Sequence, residues 1–336
     1  MKKRIMYPLL LLLSLSLTLS GCSSIKNQKT NKEQITLTLG AAGQPSLPAI
    51  AATEKFIKLV AEKSNNRIQI KFFPSRQLGD DDQLLEQIMV GALDMGSIST
   101  SSFSKFTPLL DTLQLPFLLG TYEKEKAAIQ SKEMKDIYKG LEPLKLKTLS
   151  IYDNGIRHIA NVKRPINQMS DLKGLKLRVP GSTLLLSSMS ALGANPTPMA
   201  YGEIYTGLQT KVIDGEEINL TSIYSEKHYE VLNYVSTIGL WPFPAALTMN
   251  IDSFNKLSPE DQKILQECAD EGLQYNMGLF AEKEKTAIDT MEKAGVKVNN
   301  IENKEPFINA TAKIYKQYTE KNPLIKNFVD MAQNLK

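Results

Sequence analysis

The stretch "DLKGLKLRVPG" (171–181) sets the terms for the rest of the chain. From Leu175 to Val179 apolar and basic residues alternate, the period of a strand with one buried face. Pro180-Gly181 then stops the strand and turns the chain. Arg178 is thus a permanently charged residue at the last step of a strand. Either it lies solvated on an edge, or it points a guanidinium into a cleft.

Working outward, "ITLTL" (35–39), "RIQIKFF" (67–73), "LKLKTLSIY" (144–152) and "VKVNNI" (296–301) have the same alternation. Helical spacing separates them. Ala49, Ala52, Phe56, Leu59 and Val60 follow Pro48, which suits a first turn. Leu84, Leu85, Ile88 and Met89 form a face behind Asp80, Asp81 and Asp82, and Gly91 closes that helix. Further helices are predicted over 182–192, ending at Gly193, and over 201–209. Strands separated by helices imply βαβ units and a mainly parallel sheet. Ser258-Pro259-Glu260-Asp261 combines a capping serine, a first-turn proline and acids that suit the helix dipole. The helical pattern after it runs to about Lys293, long enough to brace two lobes. The expectation is an α/β chain of two lobes, with a ligand cleft between them and a long C-terminal bracing helix.

The first 21 residues stand apart. Lys2, Lys3 and Arg4 precede a largely apolar run from Ile5 to Leu19, short of the roughly 20 residues that a membrane span needs. This is the pattern of an export signal. It ends in Leu19-Ser20-Gly21-Cys22, which resembles the bacterial lipobox, so residues 1–21 are expected to leave and Cys22 to carry lipid. Residues 22–34 are polar and aperiodic and read as a flexible tether. The expected location is outside the cytoplasm, anchored to the cell membrane only through Cys22.

Once Lys2, Lys3 and Arg4 leave with the signal, 37 of the 40 Lys and Arg face 36 Asp and Glu, so nothing favours nucleic acid as a partner. With Cys22 lipidated, Cys268 has no intramolecular partner, and the core alone must hold the fold. His158 and His228 are the only histidines, and neither has a partner at metal-ligand spacing. No metal, phosphate-loop or nucleophile-elbow pattern occurs, and no cofactor or catalytic residue is expected.

Several blocks then come in one order: "PSRQLGDD" (74–81), "GALDM" (91–95), "LPFLL" (115–119), "NGIRHIANVKRPINQMSDLKGLKLRVP" (154–180), "LGANPTPMAYGEIYTGLQTKVIDGEE" (192–217) and "YEVLNYVS" (229–236). In these the chain resembles the substrate-binding proteins of TRAP (tripartite ATP-independent periplasmic) transporters, the dicarboxylate-binding-protein family. The resemblance runs from about Ile35 to the C-terminal helices. It implies a periplasmic-binding-protein-like fold, with 35–154 plus about 244–283 as the first lobe and 155–243 plus about 284–336 as the second. It also implies a receptor that captures a small carboxylate and delivers it to TRAP membrane subunits. Arg178 would pair with the carboxylate, Arg157 would stand beside it, and Tyr201 would lie against the ligand.

Compared with sialic-acid-binding members, polar first-lobe positions appear as Ala42 and Ser99, Asp81 keeps an acid, and Gln44 is a further candidate contact. Ile218 stands where the family places a ligand-facing asparagine, and Ile238-Gly239 replaces a frequent Asn-His pair. Trp241, the only tryptophan, is either pocket wall or hinge packing. Together these changes lead to the expectation of a less polar carboxylate than sialic acid, a keto acid or one with an apolar body. The rivals are neutral drift around an ordinary dicarboxylate, a peptide-holding surface lipoprotein, and a surface hydrolase or lyase.

Overall fold

The structure, a computed structural model, describes residues 33–335. The signal, Cys22 and most of the expected tether lie outside the described residues. The chain opens with β1 (Ile35–Ala41), α1 (Pro48–Lys63), β2 (Ile68–Phe73), α2 (Asp81–Met89) and β3 (Met95–Ser99). Pro48 occupies the first turn of α1, and Ala49, Ala52, Phe56 and Val60 are fully buried along one face. Asp80 caps α2, and Gln83 returns a bond to its backbone, a reciprocal pair that fixes where the helix starts. Two 3-10 turns lead to α3 (Tyr122–Ile129), α4 (Lys132–Gly140) and β4 (Leu146–Tyr152).

The chain then crosses into β5 (Arg157–Asn161), β6 (Lys176–Val179), α5 (Thr183–Ala191), β7 (Asn195–Pro198), α6 (Ile204–Gln209), β8 (Gly215–Asn219), α7 (Leu220–Ser225) and β9 (Tyr234–Thr237). It returns through β10 (Ala245–Asn250), α8 (Ile251–Asn255) and α9 (Pro259–Met277). The tail is α10 (Phe280–Lys293), β11 (Lys297–Asn300), α11 (Glu305–Thr319) and α12 (Pro323–Gln333). One sheet has the order β2-β1-β3-β10-β4 and the other β11-β9-β5-β8-β6-β7. Each forms the centre of one lobe.

Three features correct the expectation. The sheets are mixed: β10 is antiparallel to β3 and β4, and β5 is antiparallel to β8 and β9. These are the strands on which the chain enters a sheet from the other lobe, so they arrive at the end where the other strands finish. The predicted long helix is two helices, parted at Gly278-Leu279. The first, α9, packs on α1 and β4 of the first lobe, while α10 packs on α7 and β11 of the second. The last helix, α12, packs on α3 and α4, so the tail assigned to the second lobe returns to the first.

The crossing segments lie side by side. Arg157 N–H donates to the Trp241 carbonyl at 2.8 Å, and Leu240 N–H donates to the Arg157 carbonyl at 2.9 Å. Asn276 at the end of α9 clasps the Asp153 backbone, accepting from its N–H at 2.7 Å and donating to its carbonyl at 3.0 Å. Gly155 turns the chain at φ 111°, a left-handed value that a Cβ would strain. The hinge is formed here by two strands and one helix junction, and the chain crosses once more between α11 and α12.

Candidate functional site

A cavity of about 730 Å³ opens between the lobes, and Arg178 lies in its wall. Its strand, β6, is flanked in parallel by β7 and β8, with Leu177 and Val179 fully buried. Arg178 is only 3% exposed. Its Nε donates to the Met199 carbonyl at 2.9 Å, but the buried Nη1 has no hydrogen-bond partner. Burial, and then Arg157 nearby, pull it down to about 10, against the opposing pull of Glu217 and Glu216. At neutral pH it is still charged. A buried, charged donor without an acceptor is costly, and an anion in the cavity would relieve that cost.

Arg157 is arranged differently. Its Nε and Nη2 grip Glu217 at 2.7 and 2.8 Å, and its Nη1 donates to Asn219 Oδ1 at 3.2 Å. The Phe243 ring stacks on the guanidinium, 4.0 Å from ring centre to carbon. Strand register explains the set: Arg157 pairs with Asn219 across β5 and β8, and Glu217 shares that face two residues away. Burial pushes the Glu217 carboxyl up, while Arg157 pulls it back down. This arginine is a paired charge that borders the cavity.

The first lobe supplies the opposite wall. Ser97, Ser99, Ser101 and Ser102 line it, beside Asp80, Asp81 and Asp82 at the start of α2. Ser99 and Ser101 share a hydrogen bond of 2.8 Å, and the buried Ser97 hydroxyl has no partner. Burial and the adjacent Asp80 raise the Asp81 carboxyl to about 8, although Arg178 pulls it down. Tyr201 and Ser222 complete the second-lobe side, and the Tyr201 hydroxyl is buried without a partner.

Of the residues singled out in the sequence, Arg178, Arg157, Tyr201, Asp81 and Ser99 line this one cavity, as does Ala42. Gln44, Ile218 and Trp241 are not in its wall. Gln44 accepts from Ser75 and steadies a loop. Ile218 points to the other face of β8 and is buried in an apolar cluster with Ile204 and Leu208. Its neighbour Asn219 holds Arg157 instead. Trp241 is fully buried at the hinge. The wall is mixed: "GSISTSS" (96–102) places a row of serine hydroxyls in it, beside apolar Leu47, Ile50, Met199 and Phe243. That serine run was a visible signal; the partnership of Glu217 with Arg157, 60 residues apart, was not.

The histidines are structural. His228 Nδ1 lies 2.9 Å from Glu216, both buried. His158 Nδ1 accepts the N–H groups of Ile238 and Gly239, each at 3.1 Å. Burial, and then Lys304 and Arg157, push His158 down to about 3. Among the described residues no group of His, Cys, Asp and Glu could hold a metal ion.

The family model "bacterial extracellular solute-binding protein, family 7" matches residues 39–322. The chain belongs to this family. Such a family 7 protein is an exported solute receptor of a TRAP transporter, which binds small organic acids without chemical change and works with the transporter's membrane subunits. The 2,3-diketo-L-gulonate-binding periplasmic protein of Escherichia coli is 33% identical to it over 74% of this chain and 75% of its own length. A TRAP periplasmic solute-binding protein of Chromohalobacter salexigens, solved with bound D-glucuronate, is 31% identical with TM-score 0.84, over 89% of this chain and 99% of the other. That of Roseobacter denitrificans, solved with bound β-D-glucuronate, is 31% identical with TM-score 0.85, over 90% and 100%. These relatives share the two-lobe α/β fold with its cleft and long C-terminal helices.

Proposed function

We propose that this receptor binds a polyhydroxy monocarboxylate, a sugar acid of uronate size. The observation that carries the reading is the buried Arg178 guanidinium with an unpartnered Nη1 at the cavity. A planar, always-charged fork suits a carboxylate. Arg157 adds positive potential, but Glu217 already occupies its fork. On the first-lobe side the wall offers the serine hydroxyls and the Asp81 carboxyl, which suit ligand hydroxyls, while Leu47, Ile50, Met199 and Phe243 give the carbon skeleton an apolar surface. The other cations of the wall, Lys105 and Arg157, are already paired with Asp82 and Glu217, so a second ligand carboxylate finds no unpaired cation there among the described residues, and dicarboxylates are disfavoured. D-glucuronate bound to two relatives, and 2,3-diketo-L-gulonate in the name of a third, fit this class.

Capture is a clamp. The lobes, 35–154 plus 244–283 with α12, and 155–243 plus 284 to about 320, rotate about the hinge, and closure excludes water from the ion pair at Arg178. We also place the protein on the outer face of the membrane through lipid on Cys22, after loss of residues 1–21. The motif at 19–22 supports this. Isothermal titration of D-glucuronate, 2,3-diketo-L-gulonate, succinate and an aromatic keto acid tests the ligand class. Heat with the sugar acids alone is expected, and binding of only the keto acid or succinate would overturn it. Replacing Cys22 by Ala should release the protein from the membrane fraction; retention would sink the anchor.

A further inference from the structure

At the cleft's edge, beside Tyr201, Arg76 of the first lobe reaches Glu226 of the second. Nη1 and Nη2 donate to the two carboxylate oxygens at 3.2 and 3.0 Å, and Nη1 also donates to the Ala42 carbonyl at 3.3 Å. The side chains are 25% and 12% exposed, so water screens the pair only partly. Among the described residues every other ion pair stays within one lobe. Three further features are fitted around it. Ser75 and Arg76 are consecutive left-handed residues, at φ 57° and 64°, held by bonds from their N–H groups to Gly43 and Ala41. Such backbone is unfavourable for residues with a Cβ, and here it aims Arg76 across the gap. Gly202 leaves room for the arginine stem, since a Cβ there would come within 3.0 Å of Arg76 Cδ. Its N–H also reaches Asp80 of the first lobe at 3.3 Å.

We infer that Arg76 and Glu226 form a latch that favours the closed cleft whichever solute it holds. Neither charge is needed to touch the ligand, because each is satisfied by the other. A contact made only in the closed state raises the population of that state, and so raises the affinity of every solute by one common factor. Arg76 is therefore a positioning residue, and its effect belongs in the rate of release rather than in selectivity. This inference rests on reading the cavity as the solute site.

The test compares Arg76→Ala, Glu226→Ala, the double variant and the charge swap Arg76→Glu/Glu226→Arg with the unaltered protein. Stopped-flow and titration use D-glucuronate and D-galacturonate as probes, and small-angle X-ray scattering is recorded without any solute. Each single change should weaken both uronates by the same factor, about tenfold, through faster release. The double variant should be no worse than the singles, and the swap should recover part of the loss. Unequal factors for the two uronates, additive single effects or unchanged release would overturn the latch. If the unaltered protein binds neither uronate, the sugar-acid reading fails, and scattering decides the latch alone. A larger radius of gyration in the single variants, reversed by the swap, then upholds it, and identical radii refute it.

Discussion

Arg157 and Arg178 border the same cavity, both almost wholly buried, yet their surroundings divide the work between them. Arg157 begins β5 at the hinge, where Glu217, Asn219 and Phe243 use up its donors and its face. Arg178 ends β6 with one carbonyl bond and an idle Nη1. The same side chain is a closed ion pair in one place and a buried charge with a spare donor in the other. What differs is whether a buried counter-charge comes with it.

The largest expected effect separates the two on stability. Arg157→Ala would leave the fully buried Glu217 carboxylate alone and should cost the fold about 3–5 kcal/mol, since a stranded buried charge is heavily penalised. Thermal unfolding checks this, and Arg157→Ala/Glu217→Ala should recover much of the loss. Arg178→Ala removes a charge with no partner, so its melting temperature should hold or rise. Next in size is the loss of affinity. Arg178→Ala should weaken a bound sugar acid by about 2–5 kcal/mol, roughly 30-fold to several thousandfold, as read by titration. Equal losses of stability in the two variants would erase the distinction.

How much of this could be read in the sequence follows from how local each feature is. Arg178 was legible because alternation, Pro180-Gly181 and the surrounding block all concern adjacent residues. The start of α2 was legible for the same reason, its aspartates lying next to the turn that they cap. The Ile218 position shows the opposite case. In a strand, one residue of shift exchanges the two faces, so matching Ile218 to a ligand-facing position pointed to the wrong side of β8, where Asn219 is the residue beside Arg157. The antiparallel strands β5 and β10 were invisible because direction depends on where the chain crosses between lobes. The Glu217 clamp needs pairing across two strands that local periodicity does not specify.

The opposite wall sharpens the comparison through pH. With its carboxyl raised to about 8, Asp81 is largely neutral at pH 7 and can donate to a ligand oxygen. Above pH 8 it ionises and repels the carboxylate that Arg178 attracts. Affinity for a sugar acid should fall as pH rises from 7 to 9, by up to about tenfold, and Asp81→Asn should remove that slope. A slope that survives the substitution would assign the titration to another group.

The smallest effect concerns the hinge itself. His158 holds the Ile238 and Gly239 N–H groups on Nδ1, which requires the unprotonated ring, and its folded value near 3 lies below the ordinary 6.5. The unfolded chain therefore binds a proton that the folded hinge refuses. The contribution of His158 is complete above pH 6.5 and is lost progressively as pH falls toward 3. Asp153, raised to about 7 at the same crossing mainly by burial, acts in the other sense. Its stabilising contribution is full below its unfolded value, near 3.8, and fades as pH rises through 7. The two slopes partly cancel in the unaltered protein, and Asp81 and Asp111, raised in the same sense as Asp153, add to the gain on acidification. His158→Gln removes only the histidine slope. That variant, compared with the unaltered protein in thermal melts across this range, should lose less stability, or gain some, on acidification. Parallel curves would mean that the ring exchanges protons equally in both states and that the hinge does not depend on its neutral form.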